Sequence, residues 1–165
     1  MLQYIKQGKI FIYPTDTIYG IGCDANNEKA VKRLRKIKQS KQPFSIIAPS
    51  KAWIRNNTHC PEKYLKLLPG PYTFIVKLKT NILKEARANS PYIGVRIPKH
   101  PFTKNIKTPF ITTSANIHKT KPITEISQIP KELLNQVDII INVGKLNNKP
   151  STIYDLTQKQ PKKIR

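Results

Sequence analysis

The amino-acid sequence predicts a single α/β domain built on a mixed sheet, and three observations lead there. A chain of 165 residues that is 38% apolar has the size of one compact domain with one core. Short β-branched runs bounded by Pro, Gly, Asn or Lys recur along its length, as strands do. Between several of them lie stretches whose apolar residues fall at helical spacing, and strands interleaved with helices indicate α/β layering.

Taken in order, strands are expected at residues 9–14, 45–49, 73–79, 93–97, 110–113, 138–143 and 152–156. A helix is expected at 26–39, where Ala30, Val31, Leu34 and Ile37 share one face and lysines occupy the other. A shorter one at 61–68 presents Tyr64, Leu65 and Leu68. A third stretch, 124–136, carries Ile126, Ile129, Leu133 and Leu134, with Pro130 placing a new helix start inside it. Strands 73–79, 93–97 and 110–113 follow one another closely, which argues for a mixed sheet rather than an all-parallel one. The fourteen prolines fall mainly at element boundaries, and no repeat or linker interrupts the chain. One rigid domain over 1–165 is the expectation.

Composition narrows the chemistry. Thirty Lys and Arg against nine Asp and Glu give a formal charge of +21. Such a surface attracts polyanions, with non-specific nucleic-acid affinity that falls steeply with salt; because Ile and Asn are also abundant, a purely compositional origin for the lysine excess stays open. Cys23 and Cys60 are too few for a disulfide framework or a zinc site and are expected as reduced core thiols. The opening MLQYIKQGKIFIYP lacks the apolar run of a signal peptide, and no stretch approaches the ~20 residues of a membrane span, so a soluble cytoplasmic protein with no membrane partner is expected. No two carboxylates lie close in sequence, and His59, His100 and His118 are isolated. That argues against two-metal sites and paired-carboxylate hydrolases, and no metal ligand is assigned. Neither Gly8-Lys9 nor Gly144-Lys145 has the spacing of a Walker A loop, and no G-x-G-x-x-G occurs. Catalysis, if present, works by binding and stabilising anions.

Three polar segments stand at the ends of strand-like runs. Tyr13-Pro14-Thr15-Asp16-Thr17-Ile18-Tyr19-Gly20-Ile21-Gly22 follows a strand and precedes a helix, where open α/β sheets collect ligands; its glycines let backbone approach a ligand closely. A tight turn with hydroxyl caps is the competing reading. Thr112-Thr113-Ser114-Ala115-Asn116 offers neutral donors and acceptors at a strand's carboxyl end, or else a capped turn. Pro150-Ser151-Thr152-Ile153-Tyr154-Asp155 opens a final strand with a hydroxyl pair.

In combination these segments resemble the YrdC/Sua5 family of L-threonylcarbamoyladenylate synthases along nearly the whole chain. The landmarks are YPTDTIYGIG at 13–22, KQPFSIIA at 41–48, LPGPYTFIVK at 68–77, IGVRIPKHP at 93–101, TTSAN at 112–116 with KPIT at 121–124, and STIYDL at 151–156. Each match alone is weak, but six in the family's order are specific. The resemblance implies a single-domain YrdC-like fold with an open, basic concave cleft. It also implies a nucleotidyltransferase reaction: L-threonine and bicarbonate (or CO2) give N-carboxythreonine, whose carboxylate attacks the α-phosphate of ATP and expels pyrophosphate. The product passes to a threonylcarbamoyl transferase complex that modifies adenosine 37 of tRNAs reading ANN codons, with Mg2+ carried by the triphosphate.

Carried over residue by residue, the resemblance assigns threonine binding to Thr17, Arg96, Ser114 and Ser151, with Arg96 as a bidentate partner of the substrate carboxylate. It assigns ATP binding to Lys38, Gln42, Asn116, Thr124 and Arg165. No acid–base residue is assigned, since catalysis by positioning and charge stabilisation suffices. One departure stands out. The family's Lys-x-Arg reads Lys36-Ile37-Lys38 when counted back from Pro43, and Lys38-Gln39-Ser40, with a two-residue shortening, when counted forward from Thr17. Either way the arginine is gone, and Ile47 stands where some relatives carry a polar group. A second reading therefore stands beside the enzyme: a family paralogue with altered or lost synthase activity, acting as a tRNA- or double-stranded-RNA-binding module.

Overall fold

The computed structural model describes residues 1–116 and 122–165. His118 and Lys121, the latter opening the KPIT landmark, lie outside the described residues. Chain order is α1 (Leu2–Lys6), β1 (Phe11–Tyr13), β2 (Gly20–Gly22), α2 (Glu28–Lys38), β3 (Ser45–Ile47), α3 (Lys51–Asn57), α4 (Glu62–Leu65), β4 (Tyr72–Lys77) and β5 (Tyr92–Arg96). There follow α5 (Pro101–Lys104), β6 (Phe110–Ser114), a 3-10 turn at Ile126–Gln128, α6 (Lys131–Leu134), β7 (Ile139–Ile140), β8 (Thr152–Asp155) and β9 (Lys162–Lys163).

The strands form one twisted mixed sheet in the order β7-β1-β2-β6-β3-β5-β4-β8-β9. Pairs β1/β7, β3/β5 and β4/β8 are parallel, and the other five are antiparallel. Side chains alternate across a pleated strand, and the core divides accordingly. Ile12, Ile46 and Ile111 join a large apolar cluster on one face with Val31 and Leu34 of α2, while Phe11, Tyr13, Ile47 and Phe110 join Ile5 and Phe102 on the other. Burial on both faces explains why the strands read as continuous apolar runs rather than as alternating ones.

Helix α2 keeps to the expected stretch but is shorter. Asn27 caps it by accepting from the Ala30 amide at 3.0 Å, Glu28 opens it, and Arg35, Lys36 and Lys38 close it, each charge matching the helix dipole. Gln39, in the left-handed region, ends it. The stretch 124–136 is not one helix: Pro130, at φ −55° and ψ 138°, separates the 3-10 turn from a four-residue α6. The 13–22 segment is corrected too. It is not wholly a ligand loop, because Gly20–Gly22 is strand β2, pairing Tyr13↔Gly20 on β1 and Gly20↔Ser114 on β6. A Cβ on Gly22 would lie 1.8 Å from the Ile111 carbonyl oxygen. That glycine serves strand packing. Both cysteines are free, Cys23 buried and Cys60 half-buried, and burial pushes the thiols up to about 12 and about 11. Among the described residues no helix is long and apolar enough to cross a membrane.

Candidate active site

The sheet order dictates where the polar segments meet. Strands β2, β6, β3, β5, β4 and β8 are consecutive neighbours, and each places a polar side chain, or the loop beside it, against one cavity of about 210 Å³. Its wall includes Thr15 and Thr17 from the β1–β2 loop, Ser114 and Thr112 from β6, Ser45 from β3, Arg96 from β5, Thr73 from β4, and Ser151 and Arg165 flanking β8 and β9. Hydroxyls and two guanidinium groups face the space, and among the described residues no carboxylate side chain lines it.

The β1–β2 loop is set by its own hydroxyls. Thr15 Oγ1 donates to the Ile18 carbonyl at 2.8 Å and accepts from the Thr17 amide at 3.1 Å. Because Thr15 has spent its hydrogen, the 2.8 Å contact between the two threonine hydroxyls runs from Thr17 to Thr15. Thr17 Oγ1 in turn accepts from Arg96 Nη2 at 3.2 Å. Thr17 therefore has one lone pair left and no hydrogen to give: towards a ligand it is an acceptor.

Arg96 is buried and sits at the end of β5, where Asp16 Oδ1 accepts from its Nη2 at 2.8 Å. Burial lowers the Arg96 pKa, and the Asp16 carboxylate opposes this. Both N–H bonds of Nη2 are thus engaged, by Asp16 and Thr17, while Nε is buried with no hydrogen-bond partner. The Nη1/Nη2 fork expected for a bidentate carboxylate is not open, and Nη1 is the donor left for a ligand. Nε, sealed from the cavity and without a partner among the described residues, is a buried donor left at a cost in free energy.

Arg165, close enough for its charge to bear on Arg96, donates from Nε to the Ser151 carbonyl at 3.0 Å and from Nη2 to Ser151 Oγ at 3.3 Å. Ser151 Oγ also contacts Thr73 Oγ1 at 3.0 Å. Of the expected threonine-binding residues, the structure brings all four (Thr17, Arg96, Ser114 and Ser151) to this cavity, and Arg165 joins them there.

The remaining nucleotide candidates separate. Lys38, Gln42 and Asn116 line a neighbouring hollow of about 540 Å³ with Ser40, Lys41, Glu132 and Gln136. Lys38 Nζ donates to the Ser114 carbonyl at 2.8 Å and to the Asn116 carbonyl, so its ammonium staples the end of α2 to the Ser-Ala-Asn loop, and burial brings it down to about 8. Thr124 lies on neither wall; its amide and hydroxyl donate to Gln128 Oε1 at 2.9 and 3.3 Å. Sequence reasoning missed Ser45, Thr73 and the tie between Asp16 and Arg96. The signal for the first two was present: a single hydroxyl residue opening or interrupting an otherwise apolar strand. Among the described residues no three of His, Cys, Asp and Glu come together as a metal site.

The chain is thus a mixed α/β protein with an acid-free pocket of hydroxyls and guanidiniums, chemistry suited to anions. The Sua5/YciO/YrdC family model, described as telomere recombination, matches residues 3–165, and the chain belongs to that family. It is 38% identical to a Methanocaldococcus jannaschii protein named "putative threonylcarbamoyl-AMP synthase", over 94% of this chain and 80% of that protein. The structure of P. abyssi Sua5 complexed with L-threonine matches with a TM-score of 0.89 at 26% identity, covering 99% of this chain and 52% of that one; this chain spans about half its length. The E. coli YciO structure matches with a TM-score of 0.86 at 26% identity, covering 99% of this chain and 85% of that one.

Proposed function

We propose that this chain makes L-threonylcarbamoyladenylate from L-threonine, bicarbonate or CO2, and ATP, releasing pyrophosphate, for the modification of adenosine 37 in tRNAs reading ANN codons. The observation that carries the reading is the acid-free cavity lined by the guanidiniums of both Arg96 and Arg165 together with the hydroxyls of Thr17, Ser114 and Ser151. The complex of P. abyssi Sua5 with L-threonine supports an amino acid there. In this reading Arg96, Thr17, Ser114 and Ser151 hold threonine, while ATP runs from Arg165 towards Lys38, Gln42 and Asn116. Thr124 lies on neither wall, and its assignment to ATP rests on the family resemblance alone. The nucleophile is a carbamate carboxylate that already bears its charge, so no general base is required. What the reaction needs is two anions held in line and the charge of the departing pyrophosphate neutralised. Mg2+ arrives on the triphosphate. The product passes to a threonylcarbamoyl transferase complex in the cytoplasm, and the lysine-rich surface contacts tRNA.

The test is incubation with ATP, L-threonine and bicarbonate, scored for pyrophosphate. Release that needs all three supports the reading; release indifferent to threonine sinks it. The paralogue reading is favoured by one observation, the serine at position 40 beside a Lys38 already engaged with two carbonyls. It predicts no pyrophosphate from the same assay and salt-sensitive RNA retention.

A further inference from the structure

The two guanidiniums of the cavity are held in different ways. Arg96 carries a carboxylate behind it: Asp16 Oδ1 accepts from Nη2 at 2.8 Å, and the two side chains are only 8% and 11% exposed. Asp16 is itself fixed, its Oδ2 accepting from the Lys99 amide at 2.9 Å and its carbonyl from Asn148 Nδ2 at 3.0 Å. It does not line the cavity. Arg165 has only the neutral oxygens of Ser151 and, among the described residues, no ion-pair partner.

We propose that Asp16 is a specificity-determining residue that divides the work of the two guanidiniums, reserving Arg96 for an amino-acid carboxylate and leaving phosphate to Arg165. The inference rests on the proposed function and adds a role that the threonine and ATP contacts do not contain. A polyphosphate set against two guanidiniums in one small cavity engages both, and threonine is then excluded. The Asp16 carboxylate prevents this in two ways. It cancels most of the field that Arg96 would exert on a multiply charged anion, since the same Coulomb attraction that holds the pair repels phosphate from it. With Thr17 it also occupies both hydrogens of Nη2, closing the planar fork that phosphate and carboxylate recognition uses. An amino acid also brings N–H and O–H donors for the Thr17 acceptor, contacts that an anion of bare oxygen acceptors does not supply, so it depends less on the Arg96 fork than pyrophosphate does.

The experiment is calorimetric titration of the full chain with metal-free inorganic pyrophosphate and with L-threonine, each alone and in the presence of the other, on the parent, Asp16→Asn and Arg165→Gln. In the parent, pyrophosphate and threonine bind together. Asp16→Asn binds pyrophosphate at least tenfold more tightly and now in competition with threonine. Arg165→Gln loses pyrophosphate binding by tenfold or more and keeps threonine within a factor of about two. Unchanged pyrophosphate affinity in Asp16→Asn overturns the proposal, as does pyrophosphate that stays non-competitive with threonine. If Asp16→Asn does not fold, Arg165→Gln decides alone: retained pyrophosphate binding means that Arg96 takes phosphate and the division is wrong. A parent that binds pyrophosphate but no threonine refutes the substrate reading while leaving the Arg165 assignment to be read from the variants. A parent that binds no pyrophosphate overturns the division.

Discussion

Replacing Arg96 by alanine separates the two things this residue does. The guanidinium belongs to a residue 7% exposed and is, among the described residues, the only cation paired with Asp16. Its removal leaves a carboxylate that is 11% exposed with the Lys99 amide as its remaining donor. Breaking a buried ion pair from one side costs about 3–5 kcal/mol, which for a domain of this size lowers Tm by about 6–20 °C. In binding, losing a buried charged partner costs about 2–5 kcal/mol, an expected fall in L-threonine affinity of about 30- to 4,000-fold. ATP affinity falls less than tenfold, because Arg165, Lys38 and Asn116 remain. Adding Asp16→Asn to Arg96→Ala removes the stranded charge. The double variant therefore recovers at least about 1 kcal/mol of stability, on the order of the coupling seen between contacting residues, yet recovers no threonine affinity. Thermal melts and calorimetry on the two variants read both quantities. Equal losses of threonine and ATP, or a double variant no more stable than the single one, would falsify the pairing logic.

Lys38 should show activity and stability moving in opposite directions with pH. Burial brings its ammonium down to about 8, so turnover falls above that pH as the staple to Ser114 and Asn116 discharges, and Lys38→Met gives a lower rate without that limb. Between about 8 and the unfolded lysine value of ~10.4 the unfolded chain binds one more proton at this site, so the Lys38 contribution to urea stability rises with pH; because the raised thiols of Cys23 and Cys60 act in the opposite sense in both proteins, it is read as the parent's stability relative to Lys38→Met, which climbs across this window. Ser40→Arg, in the same hollow as Lys38, should raise ATP affinity several-fold, whereas Lys38→Arg lowers turnover by crowding the two carbonyls; the reverse pattern in an ATP titration would show that the gap-free register is the right one. Gly22→Ala drives a Cβ to 1.8 Å from the Ile111 carbonyl, and since backbone rather than a rotamer must yield, about 3 kcal/mol of stability should be lost. An unchanged urea midpoint would mean that β2 and β6 part easily.

Much of this architecture was legible because strands buried on both faces cannot hide their composition. The apolar runs at 9–14 and 45–49 each contain an observed strand, and the run at 110–113 is all but the last residue of β6. Strand β2 was not legible, because glycine is a poor strand former and its presence here is dictated by Ile111, a neighbour in space that is remote in sequence. Helices α1, α3 and α5 are too short to show a helical period; α5 is started by Pro101 and by His100 Nδ1 accepting from the Phe102 amide. The four threonine-side residues could be placed from motifs, since they sit in or beside the ends of strands. The bond from Asp16 to Arg96 spans 80 residues and depends on β5 lying three strands from β2, a fact of topology that no local pattern carries.

A formal charge of +21 does not by itself make this cavity an anion site, and the arginines show why. Arg33 pairs with Asp138, Arg35 with Glu85, Arg55 with Glu62 and Arg96 with Asp16. Arg87, also buried, is held by the Ile82 and Ser90 carbonyls and by Asn81 Oδ1. With only nine acids in the chain, four of them go to arginines. Planar forks fix one geometry where lysines remain solvated and mobile. Four of the six guanidiniums, those of Arg33, Arg35, Arg55 and Arg87, are thereby committed to structural contacts, while Arg96 is shared between Asp16, Thr17 and the cavity. Among the described residues Arg165 alone of them has neither a carboxylate nor a full set of carbonyls; it lines the same cavity as Arg96, held by Ser151 and near enough for its charge to bear on Arg96. The lysine surface can raise the local concentration of any polyanion, tRNA and nucleotide alike, and salt will weaken that attraction uniformly. Selection between a carboxylate and a phosphate has to come from the two arginines whose partners differ, which is why exchanging a single buried carboxylate should alter specificity when one more or fewer surface lysine does not.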